Sequence, residues 1–207
     1  MGEFKLLNQK IVNGFLGLIE PVEKFLVAQK VHPHLITAAG LIFSIVAAYL
    51  FTEGSFLLGG IFVILTGVCD ILDGRLARAT NKTSKYGALI DSTIDRYSEV
   101  IIFLGIATYF RSENSYVHAL IILAIAGSFL VSYTRARAEG LGIDCKIGIL
   151  QRPERMTFLA AGGILGEIPY TDHFMMIFFL WVIAILANVT VIQRILYIRN
   201  QLRSQQA

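Results

Sequence analysis

Six stretches of this chain are apolar enough to be read as membrane-crossing helices, at roughly residues 35–52, 56–74, 87–110, 116–138, 153–168 and 173–198. Short polar or glycine-containing breaks separate them: Gly54, the run from Thr80 to Lys85, Ser112-Glu113-Asn114 and Pro169-Tyr170-Thr171-Asp172. Pro33, in His32-Pro33-His34-Leu35-Ile36-Thr37, suits the first turn of the first spanning helix. The fifth stretch is short and carries Gly162, Gly163 and Gly166. Residues 3–29 follow a different pattern, with Phe4, Leu6, Leu7, Ile11, Val12, Phe15, Leu16, Leu18 and Ile19 set among Lys5, Lys10, Glu20 and Lys24. That alternation predicts an amphipathic helix lying in the membrane interface, kinked or broken at Pro21. The pattern as a whole predicts an all-α integral membrane protein of six transmembrane helices plus an N-terminal interfacial helix, with almost no β-structure. Its parts are an interfacial segment (1–30), a six-helix membrane domain (31–200) and a cytoplasmic tail (201–207).

Composition agrees with a membrane protein: of 207 residues, 55% are hydrophobic and 16% charged. A net charge of +3 without a basic run gives no case for nucleic acid. Cys69 and Cys145 form neither a zinc pattern nor a disulfide framework and read as packing residues. Residues 1–10 lack the long apolar core of a cleavable signal peptide. Apart from Arg96 and Arg111, every Lys and Arg falls in the N-terminal segment, the 75–86 and 135–155 connections or the C-terminal end. The positive-inside rule then places both termini and the 75–86 connection on the cytoplasmic side of the cell (inner) membrane.

Four aspartates interrupt the apolar pattern. Asp70, Asp73, Gly74 and Ala77 fall at i, i+3, i+4 and i+7, one face of a helix, while Gly87, Asp91 and Asp95 step by four along a second. Folding back at Thr80–Lys85 sets two carboxylate pairs against each other. Acids at mid-membrane cost about 2.5–3.5 kcal/mol each, and close carboxylates repel one another. A hard divalent cation with oxygen ligands, Mg²⁺ or Mn²⁺, resolves both problems. The other resolution is pairing of the acids with Arg75 and Arg78. Glycine and alanine beside the acids leave the backbone open to a bulky ligand.

The spacing D-x2-D-G-x2-A-R-x8-G-x3-D-x3-D resembles the signature of the CDP-alcohol phosphotransferases. These are membrane enzymes that move a substituted phosphate from a CDP-alcohol to an acceptor hydroxyl and release CMP. The resemblance implies that Asp70, Asp73 and Asp91 hold two Mg²⁺ or Mn²⁺ ions, with Asp95 sharing the site and acting as general base. It implies a CDP pocket made of Asp73, Gly74, Ala77, Arg78 and Gly87, with Pro33 and Thr37 near the nucleotide. The related enzymes often have Pro-Asn-x-x-Thr at the latter place, whereas this chain has His34, read here as an interfacial histidine without chemistry. A homodimer is expected by resemblance.

A second constellation is basic. Ser132, Arg135 and Arg137 end the fourth span, Arg152 and Arg155 open the fifth, and Arg194 lies near the end of the sixth. Headgroup anchoring accounts for tail residues such as Arg199 and Arg203. Three helix ends carrying arginine beside a carboxylate site would also make a forked receptor for a phosphate dianion. That favours a phosphorylated polyol as acceptor and a CDP-diacylglycerol-type lipid as donor. Inositol phosphate is the first choice, and glycerol-3-phosphate, as in a phosphatidylglycerophosphate synthase, the alternative. Within the family these segments look most like the phosphatidylinositol-phosphate synthases, which commonly carry lysine where this chain has Arg135. Arg96 and Glu99, three residues apart, are expected to form a structural ion pair. A cation transporter is one competing class, but a cation path does not require the glycine, alanine and arginine positions of the motif. An inactive scaffold is another, and it would predict loss of at least one aspartate, whereas all four are present.

Overall fold

A computed structural model describes residues 9–112, 115–168 and 173–206, and among them the only regular secondary structure is helical. The helices are α1 (Gln9–Ala28), α2 (Pro33–Thr52), α3 (Phe56–Ala79), α4 (Lys85–Tyr109), α5 (Ser115–Gly140), α6 (Arg152–Gly166) and α7 (Phe174–Gln206), with a 3-10 turn at Phe110–Ser112. Residues 3–8 of the amphipathic segment, Glu113 and Asn114, and the Pro169–Asp172 turn lie outside the described residues.

Of these helices, α2, α3, α5 and α7 are long and apolar enough to cross a membrane. The other two expected spans fall short for different reasons. α4 carries Lys85, Asp91, Asp95, Arg96 and Glu99, and α6 has only 15 residues. Helix α7 runs unbroken to Gln206, so residues 201–206 continue it.

Local chemistry sets the helix ends. Pro33 is the first residue of α2, where a missing N–H costs nothing, and His32 Nδ1 accepts from the His34 amide at 3.4 Å. Gly54 takes φ +77° between α2 and α3, a left-handed turn that favours glycine. Asn81 takes φ 54° between α3 and α4, and Ser84 Oγ accepts from the Gly87 amide at 2.9 Å to cap α4. Glu154 accepts from the Gln151 amide at 3.1 Å to close the first turn of α6.

The helices pack in the order α4, α2, α3, α6, α7, α5, and a lighter contact between α5 and α4 closes the ring. α3 and α4, which carry the two halves of the motif, barely touch; α2 lies against both. At the end of the bundle away from the motif, Phe51, Phe56, Tyr109, Phe110 and His173 form an aromatic cluster, with the Phe56 and His173 rings stacked at 4.0 Å. Glu167 accepts from the Leu57 amide there at 3.1 Å, joining α6 to the start of α3.

The glycines that make the fifth stretch look weak are its docking face. A Cβ on Gly163 would lie 2.8 Å from Gly60 Cα, and one on Gly60 would lie 2.8 Å from the Ala160 carbonyl. Such backbone-to-backbone approach is how helices associate where lipid offers no hydrophobic drive. Cys69 and Cys145 are both buried and free, and burial pushes the Cys145 thiol up, away from the reactive thiolate.

Helix α1 continues through Pro21 without a break, a correction to the alternative of a broken helix. It rests on α3, where Glu23 pairs with Arg75, and it leaves Leu18, Val22 and Phe25 exposed at three- and four-residue spacing.

Gly163→Ala should lower the thermal midpoint of the detergent-solubilised protein, because backbone cannot move aside as a side chain can. The expected loss is about 1–3 kcal/mol, the usual cost of overpacking. Gly67→Ala, with nothing within 4 Å of the added methyl, should leave the midpoint unchanged or slightly higher. Equal midpoints for the two variants would contradict the docking role of the α6 glycines.

Candidate active site

Asp70 and Asp73 project from the C-terminal half of α3, and Asp91 and Asp95 from the N-terminal half of α4. Carboxylate oxygens of Asp70, Asp91 and Asp95 lie within 4.8 Å of one another. Helical periodicity is the reason: steps of four keep Asp91 and Asp95 on the α4 face that meets Asp70.

The cluster takes its counter-charge from α6. Arg152 Nη1 lies 2.6 Å from Asp70 Oδ1, and Nη2 lies 2.8 Å from Asp95 Oδ1. Arg75 and Arg78 do not provide it. Arg75 turns to Glu23, and Arg78 lines a neighbouring cavity. Asp91 Oδ1 is buried with no hydrogen-bond partner. An unpaired buried carboxylate oxygen costs about 1–3 kcal/mol or more, so the position calls for a cation. Three carboxylates, all hard oxygen donors, fit Mg²⁺ or Mn²⁺ and suit a thiophilic metal poorly.

Asp73 stands slightly apart. It is 4% exposed, and Thr37 Oγ1 donates to its Oδ2 at 2.7 Å, tying α2 to α3. Thr37 and Asp73 line two adjoining hollows. One also contains Asp70, Asp95, Ser98 and Arg152. The other is an open cavity of about 210 Å³. All seven positions expected around the nucleotide line that larger cavity: Pro33, Thr37, Asp73, Gly74, Ala77, Arg78 and Gly87. Asp91 lies on its wall as well, so cavity and carboxylates share a border. A methyl at Gly87 would press on Ser84 Oγ at 3.0 Å, whereas one at Gly74 would make only ordinary contact with the Arg78 guanidinium at 3.6 Å.

The acceptor-side residues divide into groups. Arg152 sits inside the carboxylate cluster. Arg155 is 1% exposed and forms two bonds to Glu99, Nε–Oε1 at 2.7 Å and Nη2–Oε2 at 2.9 Å. Arg194 is held by the carbonyls of Ile147, at 2.9 Å, and Val131, and it lies within electrostatic range of Arg135 and Arg155. Arg135 is exposed and pairs with Glu139 at 3.0 Å. Ser132 donates to the Ser128 carbonyl at 3.4 Å, and Arg137 is exposed at the end of α5. Arg152 Nε and Arg155 Nη1, from one turn of α6, are both buried without a hydrogen-bond partner.

Two features escape a reading of the sequence. The expected Arg96–Glu99 pair is replaced: Arg96 donates to the Ser92 carbonyl one turn back, and Glu99 serves Arg155. A forked bond to a guanidinium that is itself fully buried outweighs a half-buried neighbour on the same helix. His32, His34, Lys82, Thr83 and Ser84 also line the larger cavity. Lys82 to Ser84 lie between the motif halves, which is the one signal that marks them in advance.

Comparison with known proteins agrees with this geometry. The chain is 33% identical to a phosphatidylinositol phosphate synthase of Streptomyces avermitilis over 205 residues, 95% of this chain and 84% of that protein. It is 35% identical to an archaetidylinositol phosphate synthase of Methanothermobacter thermautotrophicus over 170 residues, 81% of this chain and 83% of that one. Among solved structures, the phosphatidylinositol phosphate synthase of Mycobacterium tuberculosis with CDP-DAG bound superposes with a TM-score of 0.76 at 26% identity, covering 87% of this chain and 92% of that one. The same enzyme in complex with manganese and citrate gives 0.77 at 25% identity, with coverages of 87% and 88%. A family model described as CDP-alcohol phosphatidyltransferase matches residues 30–197, the whole of the bundle around the cavity, and the chain belongs to that family.

Proposed function

We propose that this protein is a phosphatidylinositol phosphate synthase, transferring the phosphatidyl group of a CDP-diacylglycerol-type lipid to a hydroxyl of inositol phosphate and releasing CMP. The observation that carries the reading is the shared border between a cavity lined by the nucleotide motif and a three-carboxylate cluster. In this reading the cavity holds the CDP moiety. Gly74, Ala77 and Gly87 let it approach the backbone, and Arg78 offers charge to a phosphate. Asp70, Asp91 and Asp95 would hold the divalent ions, two Mg²⁺ or Mn²⁺, with Asp73 completing the set from the cavity side. Bound there, the ions supply Lewis-acid polarisation of the pyrophosphate and charge for the departing CMP. Asp95 takes the proton of the acceptor hydroxyl. The hydroxyl oxygen forms the new bond to the phosphatidyl phosphorus as the bond from that phosphorus to the CMP oxygen breaks.

Acceptor choice follows from the arginines. The buried, unsatisfied Arg152 Nε and Arg155 Nη1 are donors that an anion would satisfy. An acceptor carrying a phosphate supplies that anion as a dianion; free inositol carries no charge, and serine offers only a monoanionic carboxylate. Ser132, Arg135, Arg137 and Arg194 complete the basic side of the site. Relatives named for inositol phosphate lipids support inositol phosphate over glycerol-3-phosphate.

The membrane arrangement follows from the same reading. Helices α4 and α6 join the four long apolar helices as shorter, charge-bearing spans. The carboxylates and both termini face the cytoplasm, and α1 lies in the interface with Leu18, Val22 and Phe25 against lipid.

Purified protein given CDP-diacylglycerol and Mg²⁺ should release CMP with inositol phosphate, and far more slowly with inositol, serine or glycerol-3-phosphate. Release with free inositol or serine, and none with either phosphorylated acceptor, would refute the phosphate-receptor assignment.

Arg155→Lys keeps a charge beside Glu99 but loses the fork. It should raise the acceptor KM about tenfold or more, the equivalent of about 1.4 kcal/mol, with the donor KM within about twofold. Exposed Arg199→Ala should change neither. Asp95→Asn should abolish turnover while CDP-alcohol binding, measured calorimetrically, largely persists. Near-normal turnover in that variant would remove Asp95 as the base.

A further inference from the structure

The chain itself supplies a cation to the carboxylate cluster. Arg152 reaches in from the first turn of α6 and divides its guanidinium between two helices, taking Asp70 Oδ1 on α3 and Asp95 Oδ1 on α4. Those helices have almost no direct contact with each other. The fork of Arg152 is therefore a principal tie between the two halves of the motif. The side chain is largely buried, with 18% of its surface exposed, so water screens its charge poorly. Asp70 and Asp95 are also two of the three residues whose oxygens come within 4.8 Å of one another, and so two of the three donors a divalent ion would use.

We propose that Arg152, besides offering its Nε to the acceptor phosphate, gathers Asp70 and Asp95 beforehand and contends with the divalent ion for them, holding down the affinity for the ion. This inference rests on the metal-site reading above. A divalent ion needs carboxylate oxygens at bonding distance, and a guanidinium hydrogen-bonded to the same oxygens competes for their lone pairs. It also places a like charge beside the incoming ion, which a poorly screened site makes costly. Entry of the ion therefore shifts Arg152 away from at least one carboxylate. Such moderated affinity suits a metal that must let phosphate-bearing substrates and products come and go.

A purely structural arginine and a competing one make opposite predictions. Loss of a structural tie would splay the carboxylates and weaken metal binding. Loss of a competitor would strengthen it.

The test is Mn²⁺ binding to the full chain in detergent or nanodiscs, read from the electron paramagnetic resonance signal of free Mn²⁺, alongside thermal midpoints with and without Mn²⁺. Arg152→Gln should bind Mn²⁺ about tenfold more tightly than the parent protein. Its midpoint should fall without the ion and recover when the ion is added. Arg152→Lys, a point charge unable to bridge both carboxylates, should lie between the two and serves if the glutamine variant does not fold. Mn²⁺ affinity equal to or weaker than the parent's in both variants would overturn the proposal while leaving the metal site standing. Absence of specific Mn²⁺ binding in the parent and the variants alike would overturn the metal-site reading, and this inference with it.

Discussion

Like charges held together in a poorly screened interior have to be compensated, and most of what is distinctive in this structure answers that constraint. Asp70, Asp91 and Asp95 converge where α3 and α4 come near each other without packing. Arg152 supplies compensation from a third helix, as the first residue of α6. Glu99 and Arg155 repeat the solution one turn deeper, as a fully buried forked pair. Removing one member of such a pair typically costs about 3–5 kcal/mol, so charge holds α4 and α6 in register.

The rest of the bundle makes that arrangement possible. A helix of 15 residues presents Arg152 and Arg155 at one end only if its other end is fixed. The close approach of Gly60 and Gly163, and the Glu167 bond to the start of α3, fix it there. At the motif end, Thr37 holds Asp73 from α2, and α1 is tied to α3 through Glu23 and Arg75, a residue inside the motif itself. Charge and small-residue packing thus divide the work: one sets the site, the other sets the distances between the helices that carry it.

Much of this was legible in the sequence because helical periodicity is local. The spacing of Asp70, Asp73, Gly74 and Ala77, and of Gly87, Asp91 and Asp95, is enough to place each set on one face, and these residues line the two adjoining hollows, Asp70 and Asp95 the smaller one. Pro33, Gly54 and the Thr80–Lys85 run marked helix ends for equally local reasons. What could not be read was partner choice across the fold. Glu99 has Arg96 three residues away and Arg155 56 residues away, and it takes the distant one. Arg152 was recognisable as a basic residue at a helix end, but nothing nearby in the chain points it at Asp70 and Asp95. The acids of the site also dilute the apolar character of α4, so by length and composition it does not stand with α2, α3, α5 and α7.

In the reading proposed above, Asp70, Asp91 and Asp95 make a divalent metal centre at the edge of the larger cavity. Anomalous diffraction from crystals of this protein grown with Mn²⁺ tests it most directly. The expected result is a manganese peak within bonding distance of carboxylate oxygens of these residues, with Arg152 drawn back from at least one of them. A peak at some other place on the protein, or none at saturating Mn²⁺, would contradict it.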